Sequence, residues 1–166
     1  NSNRRPLVKY PHDRKDNLEG SIEIFEMPKK NAEGEVDRWR YVAGIDPVDD
    51  DIAIHSVSLP SVFILDLYTD RIVAEYTGRP KFADDFYEIA RRMLLFYNAQ
   101  CNYENNKKGL FAYFDRKNSL HLLCDTPQIL KDMEMVKGNL YGNKAKGTNA
   151  TQMVNAWGRR LQRDWL

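Results

Sequence analysis

The stretch RYVAGIDPVDDD, Arg40 to Asp51, begins as an apolar run and ends in a cluster of aspartates. The run Tyr41–Ile45 is typical of a buried strand, and Pro47 lacks the backbone donor that would continue a strand ladder, so the strand is predicted to end at Asp46. A carboxylate at the edge of a core is unfavourable unless its charge is compensated. The stretch therefore raises the question of what this strand-end acid binds.

Length and composition predict one compact domain. The chain has 166 residues with 42% hydrophobic content, enough for one core, and we expect it to span residues 21–166 after a polar lead-in at 1–20. The net charge of +1 identifies no partner. Cys101 and Cys124 match neither a disulfide framework nor a zinc spacing, which favours a reducing cytosol. No apolar run reaches membrane-spanning length, so no membrane partner is predicted.

The periodicity of apolar residues predicts an α/β domain with a mixed sheet. Strands are expected at Ser21–Glu26, Trp39–Asp46, Ser61–Asp66, Arg71–Thr77 and Gln100–Tyr103, with a further short strand at Ser119–Leu123. Helices are expected at Ala83–Asn98, Asn106–Arg116, Gln128–Val136 and Thr151–Trp165. Thr126 followed by Pro127 is the pattern of a capped start for the third helix. Residues 137–150, rich in Gly and Asn, are predicted to form a loop or a wide hairpin.

A second strand-end acid follows the same pattern as Asp46. In CNYENN, Cys101 to Asn106, a short strand ends before Glu104, and Asn105 and Asn106 can cap the helix that follows. Two carboxylates at the ends of two strands of one sheet can converge on a divalent cation, and oxygen ligands favour Mg²⁺ or Mn²⁺. Taken singly, Asp46 fits a turn residue equally well, and Glu104 fits a carboxylate at a helix start.

The C-terminal part of the chain is locally basic. Between Lys137 and Arg163 there are six basic residues and no acid. A solvated helix face is the simpler interpretation of such a run, and a surface that attracts phosphates is the alternative. For the acids that follow Asp46, namely Asp49, Asp50 and Asp51, we expect positions in a loop, and the alternative is that one of them binds a metal through water.

The motifs, taken in order, resemble those of a known family. YVAGIDPVDD, then SVFILDLYTDRIVAEYTGRP, an amphipathic helix, NYENNKKGLFAYF and finally YGNKAKGTNATQMVNAWGRRL look like the nuclease domain of the large terminase subunit of tailed bacteriophages. The resemblance runs from about Ser21 to the C-terminus. It implies a ribonuclease-H-like mixed β-sheet flanked by helices. It also implies an Mg²⁺- or Mn²⁺-dependent endonuclease that cuts concatemeric viral double-stranded DNA by two-metal phosphodiester hydrolysis.

Carried over by position, the resemblance makes Asp46 and Glu104 the catalytic residues and the first and second metal ligands. It implies the cytoplasm of the infected bacterial host as the location. It implies an N-terminal ATPase domain, the portal and the small terminase subunit as partners in the full-length protein. Together with the basic run, it assigns DNA binding to a set of cationic residues. These are Lys107, Lys108, Lys144, Lys146, Arg159 and Arg160.

The sequence departs from the family at one point. The third catalytic Asp of the family lies in a later segment, after the basic helix, and neither Asp125 nor Asp164 fits it. We expect that this Asp was lost by truncation and that the chain alone therefore cleaves DNA poorly.

Two alternatives remain at this stage. Another ribonuclease-H-like nuclease, of the resolvase or integrase type, would share the Asp/Glu pair. A non-catalytic module that docks on DNA or on the portal would have no need for two carboxylates at one point. Metal binding distinguishes the docking module from the nucleases.

Overall fold

A computed structural model describes residues 20–48, 59–135 and 145–165. The strands are β1 (Ile22–Ile24), β2 (Tyr41–Asp46), β3 (Ser61–Asp66), β4 (Arg71–Thr77) and β5 (Gln100–Tyr103). The helices are α1 (Ala83–Tyr97), α2 (Gly109–Arg116), α3 (Gln128–Asp132) and α4 (Gln152–Trp165), with a 3₁₀ turn at Leu120–Leu122.

The strands form one mixed, open sheet in the order β1-β4-β3-β2-β5. The pairs β1–β4, β4–β3 and β3–β2 are antiparallel, and β5 lies parallel to β2. A parallel neighbour requires a crossover connection, and α1 supplies it between β4 and β5. The expected α/β class with a mixed sheet flanked by helices is confirmed.

The core lies between one face of the sheet and α1. Tyr41, Ala43 and Ile45 of β2 are buried on this face, because successive residues of a strand point to opposite sides. The helix α1 packs on β2 and β3. It buries the apolar stripe Phe86, Tyr87, Ala90, Met93, Leu94 and Tyr97. On the opposite face of β2, Gly44 and Asp46 are exposed, so the last residue of β2 points away from the core.

Most of the predicted strands agree with the structure, and one was wrong. The bounds of β3, β4 and β5 are as predicted. Residues 119–123 do not form a strand: the backbone of Leu122 donates to Ser119 O at 3.0 Å, and that of Leu123 donates to Leu120 O at 3.1 Å. These local bonds close a 3₁₀ turn, and Leu123 makes an isolated parallel bridge to Cys101.

The predicted start of α2 was wrong, and so were the predicted caps of α2 and α3, although α3 begins at Gln128 as predicted. The helix α2 begins at Gly109, and its N-cap residue makes no side-chain cap. Asn105 and Asn106 do not cap it, because their side-chain amides donate elsewhere, to Lys146 O at 2.8 Å and to Glu104 Oε1 at 3.0 Å. The N-cap of α3 is Pro127, and Thr126 does not cap that helix. In α4, by contrast, Thr151 Oγ1 accepts from the backbone of Val154 at 3.2 Å.

Other predictions concern the cysteines, the membrane and the chain ends. Both cysteines are free, and burial raises the pKa of the Cys101 thiol well above its usual range, as suits a structural residue. None of the helices in the described ranges is both long and apolar enough to cross a bilayer. The lead-in at 1–20 lies outside the described residues except for Gly20, as do Val136 and the residues from 137 to 144.

Candidate metal centre

Asp46 and Glu104 lie side by side at one edge of the sheet. The parallel register pairs Ile45 with Tyr103, one residue before each acid. The backbone of Glu104 donates to Ile45 O at 3.2 Å, which continues the pairing by one step. Neighbouring strands are about 4.8 Å apart, and residues in register point to the same face. The two strand-end acids predicted from the sequence are therefore brought together on the exposed face.

The surroundings of the two acids suit a cation bound through oxygen. Asp46 is exposed and Glu104 is half-buried. Among the residues that the structure describes, neither carboxylate forms an ion pair. Like charges on adjacent strands destabilise each other, and a divalent cation would reverse that effect. Among the residues that the structure describes, none has an atom within 4 Å of a Cβ placed on Gly44, so this part of the chain leaves space beside Asp46 on this face. The donor set fits Mg²⁺ or Mn²⁺.

A third carboxylate is not found beside the pair in the described residues, since no group of three or more His, Cys, Asp or Glu side chains there could hold a metal. Asp49, Asp50 and Asp51, which were predicted to be loop acids, lie outside the described ranges. The pair Asp46 and Glu104 is therefore the part of the site that the structure defines.

Gly147 and Thr148, in the segment predicted to form a loop or a wide hairpin, lie beside the site. Thr148 bridges Glu104 in parallel, with its backbone donating to Tyr103 O at 2.8 Å, and Asn105 donates in turn to Thr148 O at 3.0 Å. Gly147 has a φ of +69°, and a Cβ there would lie 2.5 Å from Tyr103 O. Only glycine fits such a position. In the sequence, Gly147 within Lys146–Thr148 was the residue that could have indicated this close approach to β5.

Asn102 and Thr148 also line this face, and the sequence reasoning missed both. Asn102 pairs with Gly44 in the β2–β5 register and is exposed, so it shares a face with Asp46 and Glu104. Thr148 Oγ1 donates to Asn102 Oδ1 at 2.9 Å. The two-residue period that places Asn102 two positions before Glu104 could have indicated it.

The residues that follow Asp46 are held by side chains from other elements. The ammonium of Lys107 donates to Pro47 O at 2.9 Å, and the hydroxyl of Tyr87 on α1 donates to Val48 O. Lys107 was assigned to DNA from the sequence, and that role stays a prediction. Its ammonium contacts main chain directly beside Asp46.

The remaining predicted DNA-binding residues differ in their exposure and in their ion pairs. Lys146 forms an ion pair with Asp125 at 2.8 Å, which compensates its charge. Lys108 is exposed, as are Arg159 and Arg160 on α4, where Arg160 Nε lies 4.0 Å from Asp164. Lys144 lies outside the described residues. Since α4 starts four residues after Thr148, its first residue is within about 14 Å of the Glu104 bridge.

No protein-family model fits the sequence, and no curated protein is significantly similar to it. The assignment of a function depends therefore on the order of the motifs and on the geometry of this site.

Proposed function

We propose that this chain is the metal-dependent endonuclease domain of a phage DNA-packaging terminase, with a ribonuclease-H-like fold. The observation that carries the proposal is the adjacency of Asp46 and Glu104 at the ends of the parallel strands β2 and β5. The sheet, with three antiparallel strands followed by a helical crossover to a parallel strand, is compatible with that fold. The proposed substrate is concatemeric double-stranded viral DNA in the cytoplasm of the infected bacterium. The proposed partners in the full-length protein are an ATPase domain, the portal and the small terminase subunit.

In this proposal Asp46 and Glu104 hold Mg²⁺ or Mn²⁺ through their carboxylate oxygens. When bound, the cations supply Lewis acidity that activates water and neutralises the leaving 3′ oxygen. Asp46, the more exposed of the two, lies on the same face as Gly44, where the residues in the described ranges leave room for a phosphate. Glu104 is oriented by the amide of Asn106, which donates to Oε1 at 3.0 Å and leaves the second carboxylate oxygen to a cation.

Recognition of the substrate is proposed to depend on the charge of the DNA backbone. A packaging nuclease cuts many sequences, and contacts with phosphates carry no sequence information. Arg159 and Arg160 are exposed on α4, and Lys108 is exposed just before α2. Lys146 contributes less in this proposal, because Asp125 already compensates its charge.

The proposal is tested by cation binding and by cleavage measured on the same variants. At an Mn²⁺ concentration ten times the dissociation constant, the unmodified protein should melt about 4 °C higher than in EDTA. Asp46→Ala and Glu104→Ala should remove this shift. They should also abolish the slow nicking of supercoiled plasmid that is expected in millimolar Mn²⁺.

The matched control is Asp115→Ala, which removes an exposed carboxylate from α2, away from the strand ends. It should keep both the melting shift and the nicking. A shift that survives in Asp46→Ala and Glu104→Ala would contradict the site. A protein that binds DNA yet shows neither shift nor nicking would instead support the docking module.

A further inference from the structure

The segment that leaves β2 is fixed by two side chains. The last β2–β3 pair is Asp46 with Ser61, so the carbonyls of Pro47 and Val48 lie beyond the ladder. Backbone carbonyls that leave a sheet and become buried require another donor. Lys107 Nζ supplies it to the buried Pro47 at 2.9 Å, and the hydroxyl of Tyr87 supplies it to Val48.

Lys107 belongs to the segment that carries the other acid. It follows Glu104 by three residues in the connection between β5 and α2. Its hydrogen bond to Pro47 therefore joins the residue after Asp46 to the segment after Glu104. On the strand side, the bond from the backbone of Glu104 to Ile45 O, at 3.2 Å, joins the same two segments. The two bonds close a ring that contains both acids.

We propose that Lys107 is a positioning residue that holds the backbones of Asp46 and Glu104 at one spacing through the Pro47 carbonyl. Two neighbouring carboxylates repel each other and favour separation of the strand ends. A bond across the ends of β2 and β5 opposes that separation at the point where register pairing stops. The consequence for cation binding rests on the proposed function, whereas the structural role does not.

The structural role is measured by amide hydrogen exchange without any cation. In Lys107→Met the amide of Glu104, bonded to Ile45 O, should exchange about tenfold faster than in the unmodified protein, because a hydrogen bond from a charged donor has been lost. Lys107→Arg keeps a charged donor and should restore most of the protection. Lys117→Met removes the same charge from beyond the C-terminal end of α2 and should leave Glu104 unchanged. Unchanged exchange in Lys107→Met would overturn the proposal.

The consequence for the site is measured as Mn²⁺ affinity by calorimetry. The direction of the change in affinity in Lys107→Met distinguishes a positioning role from a purely electrostatic one. If Lys107 positions the acids, Lys107→Met binds Mn²⁺ severalfold more weakly. If Lys107 is only a nearby positive charge that repels cations, the same variant binds Mn²⁺ more tightly, and the positioning role is overturned. Absence of Mn²⁺ binding by the unmodified protein would contradict the proposed function, and the exchange result alone would then decide the role of Lys107.

Discussion

The strands β2 and β3 are neighbours, and each is an apolar run that ends in aspartate, as YVAGID and SVFILD. Because the two strands are antiparallel, Asp46 and Asp66 lie at opposite ends of the sheet. Asp66 is 0% exposed and binds Arg40 Nη2 at 2.8 Å. Asp46 is exposed and has no ion pair among the described residues. Similar strand endings therefore have different environments.

The face of the sheet explains the difference. Asp66 follows Val62 and Ile64 at a spacing of two and stands opposite Tyr41, on the face that α1 covers. Burial raises the pKa of Asp66. The hydrogen bond from Arg40, supported by the backbone of Tyr68, outweighs that effect and holds the pKa below its ordinary value.

Asp46 follows Gly44 on the other face, where solvent solvates its charge. The buried Asp66 thus stabilises the fold, whereas Asp46 is accessible from solvent.

The largest expected effect is at Asp66, at the end of the sheet opposite Asp46. Arg40→Met should lower the free energy of unfolding by about 3 kcal/mol at pH 7, because it leaves the Asp66 carboxylate buried without its partner. Urea denaturation measures the change. Arg71→Met is the control, since Arg71 is exposed and lies 3.5 Å from Glu26, and it should change stability by less than about 0.5 kcal/mol.

The pH dependence of the same pair gives a second way to test it. In the unmodified protein the pKa of Asp66 is lower in the folded state than in the unfolded state, so its contribution is present above the unfolded pKa and is lost as the pH falls through the folded pKa. In Arg40→Met the buried Asp66 should instead become neutral on acidification. The stability difference between the two proteins should therefore shrink as the pH is lowered from 7 towards 3. A difference independent of pH would mean that Arg40 acts by packing alone.

An intermediate effect is expected at Gly147, beside the end of the sheet where Asp46 and Glu104 lie. Gly147→Ala should cost about 2 kcal/mol, because φ is positive and the added Cβ would press on the carbonyl and ring of Tyr103. Gly34→Ala is the matched control. Gly34 has a φ of +82°, but no atom of the described ranges lies within 4 Å of the added Cβ, so this variant carries the backbone strain without the clash. Equal losses in the two variants would show that the packing of Gly147 on β5 contributes nothing.

The smallest effect should have the opposite sign. Asp46→Asn in EDTA should raise the free energy of unfolding by about 0.5 kcal/mol, since it removes one of two like charges on adjacent strands. Asp66→Asn should lower it, because Arg40 loses its carboxylate partner. Urea denaturation of both variants compares the two ends directly. Destabilisation by Asp46→Asn would mean that Asp46 is compensated, as Asp66 is, by a partner within the chain.

Local patterns predicted the strand ends but not the contacts between distant segments. Alternation and turn signals were sufficient to predict the bounds of β3, β4 and β5. The apolar run before Pro47 was sufficient to predict that β2 ends at Asp46. The predicted caps failed because Asn105 and Asn106 bind Lys146 and Glu104 instead of a helix end. The bond from Lys107 to Pro47 joins residues 60 positions apart, and no local propensity encodes such a contact.

The pairing of β2 with β5 has a consequence for the order of folding. The strands β2, β3 and β4 follow one another along the chain and pair with their neighbours, whereas β5 pairs with β2 only after the α1 crossover, as Gln100 meets Val42. Contacts between distant residues carry a larger entropy of loop closure and form more slowly. In a chain in which only the meander of β2, β3 and β4 has formed, Glu104 does not yet lie beside Asp46. In the proposed function, the two acids can therefore bind one cation together only after the crossover is complete.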